Sequence, residues 1–171
     1  MRARATSSRG FSLIEMVAAI VVLGILVAAA APMLVNGLRA YDATSASLVT
    51  LGKLRYATER LARELREVDH TGANYSLNMS LINPQFTKAD GVTVTVNQAL
   101  PNVTLAYSAP PVAPAPLLVD QVSALGFAYF DQDNNATASN VNVRYVQITL
   151  SLVQGAGTYT QRTRVALRNK P

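Results

Sequence analysis

The sequence contains no cysteine and no tryptophan, and its single histidine is His70. Without cysteine there is no disulfide, no thiolate metal site and no cysteine nucleophile. Export is not argued against, since many exported domains fold without disulfides. A lone histidine builds no cluster; at the expected end of a helix its charge interaction with the helix dipole is sufficient explanation. Acidic residues are few and scattered, no Ser-His-Asp order has supporting context, and no glycine-rich phosphate loop occurs. The chain reads as a non-enzyme.

Charge is also scarce, at 15% of residues, and aromatics make up 6%. The formal charge of +5 is concentrated at the start, where Arg2, Arg4 and Arg9 stand. Without them the balance is +2. A mildly basic remainder gives little reason to expect nucleic acid as a partner.

What the sequence has in plenty is an apolar run. From Phe11 to Val35 it is interrupted by Ser12, Glu15 and Pro32. These 25 residues as a helix span about 37 Å, enough for a hydrocarbon core of about 30 Å. Basic residues ahead of the run would hold the N-terminus in the cytoplasm. Glu15 is the anomaly, because a carboxylate deep in a bilayer costs about 2.5–3.5 kcal/mol. A free amine produced by cleavage after Gly10 would be a nearby cation for it.

Gly10-Phe11-Ser12-Leu13-Ile14-Glu15, between a basic leader and an apolar run, resembles the prepilin signal of type IV pilins and type II secretion pseudopilins. The resemblance implies that a membrane prepilin peptidase cuts after Gly10 and methylates Phe11. It also implies that Glu15 pairs with the N-terminal amine of a neighbouring subunit, and that Pro32 is a helix-loosening proline. It covers residues 9–35 closely. Two plainer readings compete: a secretory signal cut near Ala28–Ala31, and an anchor helix bearing the motif by accident. Gly24 and Ala28 are a small-xxx-small pair of the kind that allows close helix packing.

From Tyr41 to Asp69 the period is helical, and Leu48, Leu51, Leu54, Leu61, Leu65 and Val68 should form a buried stripe. Glu59–Arg63 and Arg60–Glu64 are expected on the opposite, solvated side. Residues 11–69 would then be one helix of about 88 Å, bent or locally melted at Pro32 and Gly37.

After His70-Thr71-Gly72 the chain reads as β. Val92–Val96, Val103–Tyr107, Leu117–Val122 with Leu125–Phe130 (broken near Ser123), and Val143–Leu152 alternate. Gly155-Ala156-Gly157 is a turn signal, and the chain from Tyr159 to Leu167 should return to pair with the strand before it. Residues 109–116 form a proline-rich, semi-rigid connector. The expected fold is α+β: a long N-terminal helix, half transmembrane and half amphipathic, packed on a C-terminal antiparallel sheet. The expected division is a leader (1–10), an assembly helix (11–35), an amphipathic half (36–70) and a β-rich domain (71–171).

Asp131-Gln132-Asp133-Asn134-Asn135 spaces Asp131, Asp133 and Asn135 as a calcium loop does. Ala136 stands where such loops need glycine and Asn142 where they need glutamate, so a turn is preferred and no cofactor is expected. The resemblance and the order of elements, long helix then strands, point to a minor pilin or a minor pseudopilin of the J-like kind. Its partners would be other pilin or pseudopilin subunits, the prepilin peptidase, an inner-membrane assembly platform, and lipid before assembly. It would cross the bacterial inner membrane once, with the β-domain in the periplasm, and then enter a fibre. The alternative is a fibre-displayed binding module, an adhesin or a DNA or substrate receptor, for which Arg144, Arg162, Arg164 and Arg168 are the hint.

Overall fold

The computed structural model describes residues 11–71 and 74–167. The leader, with Arg2, Arg4, Arg9 and Gly10, and also Gly72 and Arg168, lie outside the described residues. The chain divides into two compact units, Met1–Ser45 and Ala46–Pro171.

One helix, α1, runs from Leu13 to Arg66. It continues as helix through Pro32 and Gly37, so the expected local melting does not occur. Proline removes one i→i−4 hydrogen bond, and the alanines at 28–31 give the turn before it the best helix formers available. Every described residue of the first unit, 11–45, is exposed.

In the second unit the described residues after the helix form ten strands. They are β1 (His70–Thr71), β2 (Asn74–Tyr75), β3 (Leu77–Asn78), β4 (Gln85–Thr87), β5 (Thr93–Ala99), β6 (Asn102–Tyr107), β7 (Leu117–Val119), β8 (Val122–Phe130), β9 (Tyr145–Gln154) and β10 (Gly157–Ala166). All pairings are antiparallel. The single expected sheet is two larger sheets, a five-stranded β3-β4-β5-β6-β7 and a three-stranded β10-β9-β8, beside a small β1-β2 pair. Alternation in β9 buries Val146, Ile148, Leu150 and Leu152 completely. They join Val94, Val96, Val103 and Leu105 of the larger sheet, and Leu54, Leu61 and Leu65 of the helix, in one core.

The stretch read as one strand region, Leu117–Val122, divides between the sheets. The chain changes sheet at Asp120-Gln121, where Gln121 has φ 60°. That left-handed conformation costs a non-glycine residue about 1 kcal/mol, and several bonds hold it. Lys53 Nζ donates to Asp120 Oδ1 (2.7 Å) and Gln121 Oε1 (3.0 Å), and Gln121 Nε2 donates to Gln154 Oε1 (2.7 Å). The break expected near Ser123 is a register irregularity between Val122 and Ala124.

The hairpin of β9 and β10 forms as expected, with Gln154 opposite Gly157 and Gly155 at φ 58°. The helix stripe is partly corrected. Leu54, Leu61, Leu65 and Val68 are buried, but Leu48 and Leu51 are exposed, at 65% and 44%. Thr50, Ala57 and Thr58 take the buried positions instead. Glu64, expected in solvent, is 3% exposed. The helix ends at Arg66, so His70 belongs to β1 rather than to a helix terminus, and its ring meets Tyr75 edge-on at 6.2 Å. The proline-rich connector is almost wholly exposed and carries no regular structure before Leu117.

Candidate assembly site

The N-terminal end of α1 is built by Ser12. Its carbonyl accepts the first helical bonds, from the amides of Glu15 (3.0 Å) and Met16 (3.2 Å). Phe11 and Ser12 therefore precede the helix, and Glu15 lies in its first turn. There the positive end of the helix dipole favours a carboxylate. Ser12-x-x-Glu15 also has capping-box spacing, a local reason for both residue types that the sequence reading overlooked. Phe11 is 76% exposed, so a chain beginning at Phe11 would put its amine within a turn of Glu15 and leave both accessible.

Behind this end α1 is long and apolar enough to cross a membrane, with mean hydropathy 2.7 over a window of which none is buried. Exposure of Leu13, Ile14, Val17, Ile20, Leu23 and Leu26 at 53–84% leaves an apolar surface that water does not tolerate. Gly24 has nothing within 4 Å of where a Cβ would stand, so its surface is open to a neighbour.

The loop after β8 folds as a turn built on Asp131. Its Oδ1 accepts the amides of Asp133 (3.0 Å) and Asn135 (2.8 Å), and Asn134 adopts φ 70°. Asp131, Asp133 and Asn135 thus lie together, but one Asp131 oxygen is committed to backbone and Arg144 lines the same hollow. A cation there would meet a guanidinium. Among the described residues no three His, Cys, Asp or Glu side chains are grouped to hold a metal.

The arginine hint resolves unevenly. Arg162 and Arg164 share the exposed face of β10. Arg164 stacks on Phe130 at 4.4 Å and bonds to Asn134 and to Gln147 Oε1, so its charge is engaged. Arg144 donates to its neighbour's carbonyl at Val143.

A charged cluster that the sequence reading misplaced surrounds Glu64. Arg60 Nη2 lies 2.6 Å from Glu64 Oε1, and Tyr107 donates to the same oxygen at 3.0 Å. Lys88 stands 3.6 Å from Oε2, an ion pair too long for a hydrogen bond, and among the described residues Oε2 has no hydrogen-bond partner. Lys88 also pairs with Glu67 and Asp90, at 3.0 and 3.5 Å. Glu59, expected to pair with Arg63, bonds instead to Arg55 at 2.8 Å. Burial pushes the Tyr107 hydroxyl above its ordinary pKa, and the bond to Glu67 holds Lys88 above its own. The cluster fastens the helix to the larger sheet. The missed signal was position: Glu64 follows Ala57 and Leu61 at steps of four and three, inside the buried stripe.

Residues 6–31 match the family model for the prokaryotic N-terminal methylation motif. No curated protein matches the chain. An apolar, wholly exposed helix start, a first-turn glutamate and this match coincide, and the chain carries the type IV pilin-like N-terminal signal on a pilin-like α+β fold.

Proposed function

We propose that the protein is a minor pilin or minor pseudopilin: a structural subunit of a type IV pilus or a type II secretion pseudopilus. The observation that carries this reading is the methylation motif on a helix exposed at every residue from Leu13 to Ser45. Such a surface needs either lipid or other apolar helices, and a fibre subunit uses each in turn. Prepilin peptidase would cut after Gly10 and methylate Phe11 on the membrane. The new amine, held in lipid or in a fibre core, would pair with Glu15 of a neighbour, which removes the cost of two isolated charges. Pro32, lacking one backbone bond, would be the place where the helix yields as the subunit leaves the bilayer. The work is assembly through an inner-membrane platform rather than catalysis, with the second unit carried into the periplasm.

The rival reading, a fibre-displayed receptor, draws on the β10 arginines. Among the described residues, with Arg164 stacked and bonded, Arg162 is left as a single cation on that face, which is little for a polyanion. The scaffold reading is favoured for that reason.

The test is the mass of the N-terminal peptide of the mature protein, with and without the peptidase. A peptide starting at N-methylated Phe11, lost when the peptidase is absent, is the expected result. A chain retaining Met1, or starting near Ala31, would sink the proposal.

A further inference from the structure

The three-stranded sheet has two long edges, and the fold treats them differently. On β8 the outward groups are taken. The Val122 amide donates to the Pro101 carbonyl (2.8 Å), the Phe127 amide to the Leu81 carbonyl (2.9 Å), and the Tyr129 carbonyl accepts the Thr137 amide (3.0 Å). The edges of the five-stranded sheet, β3 and β7, are two and three residues long. By contrast β10 is ten residues long and pairs with β9 without a register shift. Gln154 and Gly157 close a two-residue loop, so alternate residues from Gly157 to Val165 exchange hydrogen bonds with β9. The bond from the Leu167 amide to the Arg144 carbonyl (2.9 Å) continues that alternation. The amides and carbonyls of Thr158, Thr160, Arg162 and Arg164 therefore point out of the free edge. Among the described residues none of them has a backbone partner. Unpaired groups along an edge of this length are a template for another strand.

Charge decides what kind of strand fits. A strand added beside β10 would lie about 4.8 Å from it, with alternate side chains on its two faces. On one face it meets Arg162, which is exposed and, among the described residues, has no ion-pair partner. On the other face lies a hollow between β10 and α1, lined by Glu59, Ala62, Arg63, Arg66 and Thr163. Arg63 and Arg66 are exposed and likewise have no ion-pair partner among the described residues. The carboxylate of Glu59 is already held by Arg55 at 2.8 Å. We propose that the outer edge of β10 accepts an extended acidic segment of a partner protein as a further strand, its carboxylates meeting Arg162 on one face and Arg63 and Arg66 on the other. Backbone bonds supply the affinity, and the arginines select the sequence. A second copy of β10 is disfavoured, because its own arginines would face these. Nucleic acid carries the charge but no row of amides and carbonyls to pair with the edge. The proposal is independent of the fibre-subunit reading.

The probe is a fluorescently labelled peptide of threonine and glutamate, with the glutamates in adjacent pairs so that both faces carry them. Its binding to the full chain in detergent is followed by fluorescence anisotropy. Binding that weakens with added salt is expected. The same peptide with every backbone amide N-methylated keeps its charge and should not bind, and a threonine–lysine peptide should not bind either. Combining Arg63→Glu with Arg66→Glu should weaken binding by about tenfold or more. Thr160→Pro removes an outward amide and leaves the bonds to β9 in place, so it should also weaken binding by about tenfold. Urea midpoints of the variants show whether the fold is kept. If Thr160→Pro lowers its midpoint, the N-methylated peptide on the unaltered chain decides the same point. No binding of the acidic peptide overturns the proposal. So does equal binding of the N-methylated peptide, or of an oligothymidine of the same length, since either would leave only a polyanion surface.

Discussion

Glu64 carries more of the fold than its place in a charged run suggests. A carboxylate at 3% exposure would be untenable without compensation, and Arg60, Tyr107 and Lys88 supply it. Removing the carboxylate leaves the partly buried Lys88 and the Tyr107 hydroxyl short of a partner. We therefore expect Glu64→Ala to destabilise the second unit by about 2 kcal/mol. Glu59→Ala, which breaks an exposed pair with Arg55, should cost less than about 0.5 kcal/mol. Denaturant titrations of the full chain in detergent would measure both, and equal costs would refute the role given to Glu64. Lys88→Met combined with Glu64→Ala should cost less than the sum of the two single changes, because neither charge is then stranded. The sequence made the i,i+4 pair with Arg60 visible but not its burial. The three-dimensional partners Tyr107 and Lys88 are 43 and 24 residues away, and no local pattern announces them.

The elements divide by how much of their cause is local. The long helix and the β9–β10 hairpin were legible, since period and turn chemistry lie within each. Gly155 shows this best: its φ of 58° suits the first position of a two-residue hairpin loop. Gly155→Val should therefore destabilise by about 1–2 kcal/mol even though nothing lies within 4 Å of the added Cβ. Gly157→Ala, without a positive φ, should cost less. Thermal melts of the two variants would decide, and indistinguishable midpoints would mean the backbone conformation is not the constraint. Strands β1 to β4, of two or three residues each, were not legible, because alternation needs more length than that to show. Nor was the division at Gln121, where a strand-like apolar run changes sheets only because Lys53, Gln154 and the turn backbone hold a strained residue in place. Leu48 and Leu51 misled for another reason. Helical spacing finds a stripe, but it cannot tell a face that meets the chain's own sheets from one that they leave exposed. The N-terminal methylation signal was legible as a motif, because it is written in a short neighbourhood of charge and hydropathy.

The second unit's response to pH follows from two buried tyrosines, Tyr75 and Tyr129, the half-buried Tyr107 and one lysine. Burial raises the pKa of Tyr75, Tyr107 and Tyr129, and the bond to Glu67 raises that of Lys88. In each case the folded chain holds its proton more tightly than the unfolded chain. The stabilisation is then fully present below about pH 10, where both states are protonated. As pH rises the unfolded chain ionises first, and stability falls until the folded groups titrate as well. All four groups act in the same direction, so the effects accumulate rather than cancel. The midpoint of urea unfolding, followed by circular dichroism on the full chain in detergent, should be level from pH 8 to about 9.5 and decline steadily towards pH 11. Tyr129 should contribute most, being the most strongly shifted of the four; its hydroxyl donates to the Ser80 carbonyl at 2.6 Å. Tyr129→Phe should cost about 1 kcal/mol at neutral pH and make the alkaline decline shallower, because the ionisable group is gone. A decline equally steep in the variant would assign the alkaline sensitivity to Tyr75, Tyr107 and the Lys88 cluster. A level profile to pH 11 would mean that these hydroxyls open to water before they ionise, so that the contact between Tyr129 and the 79–84 loop is not part of the cooperative core.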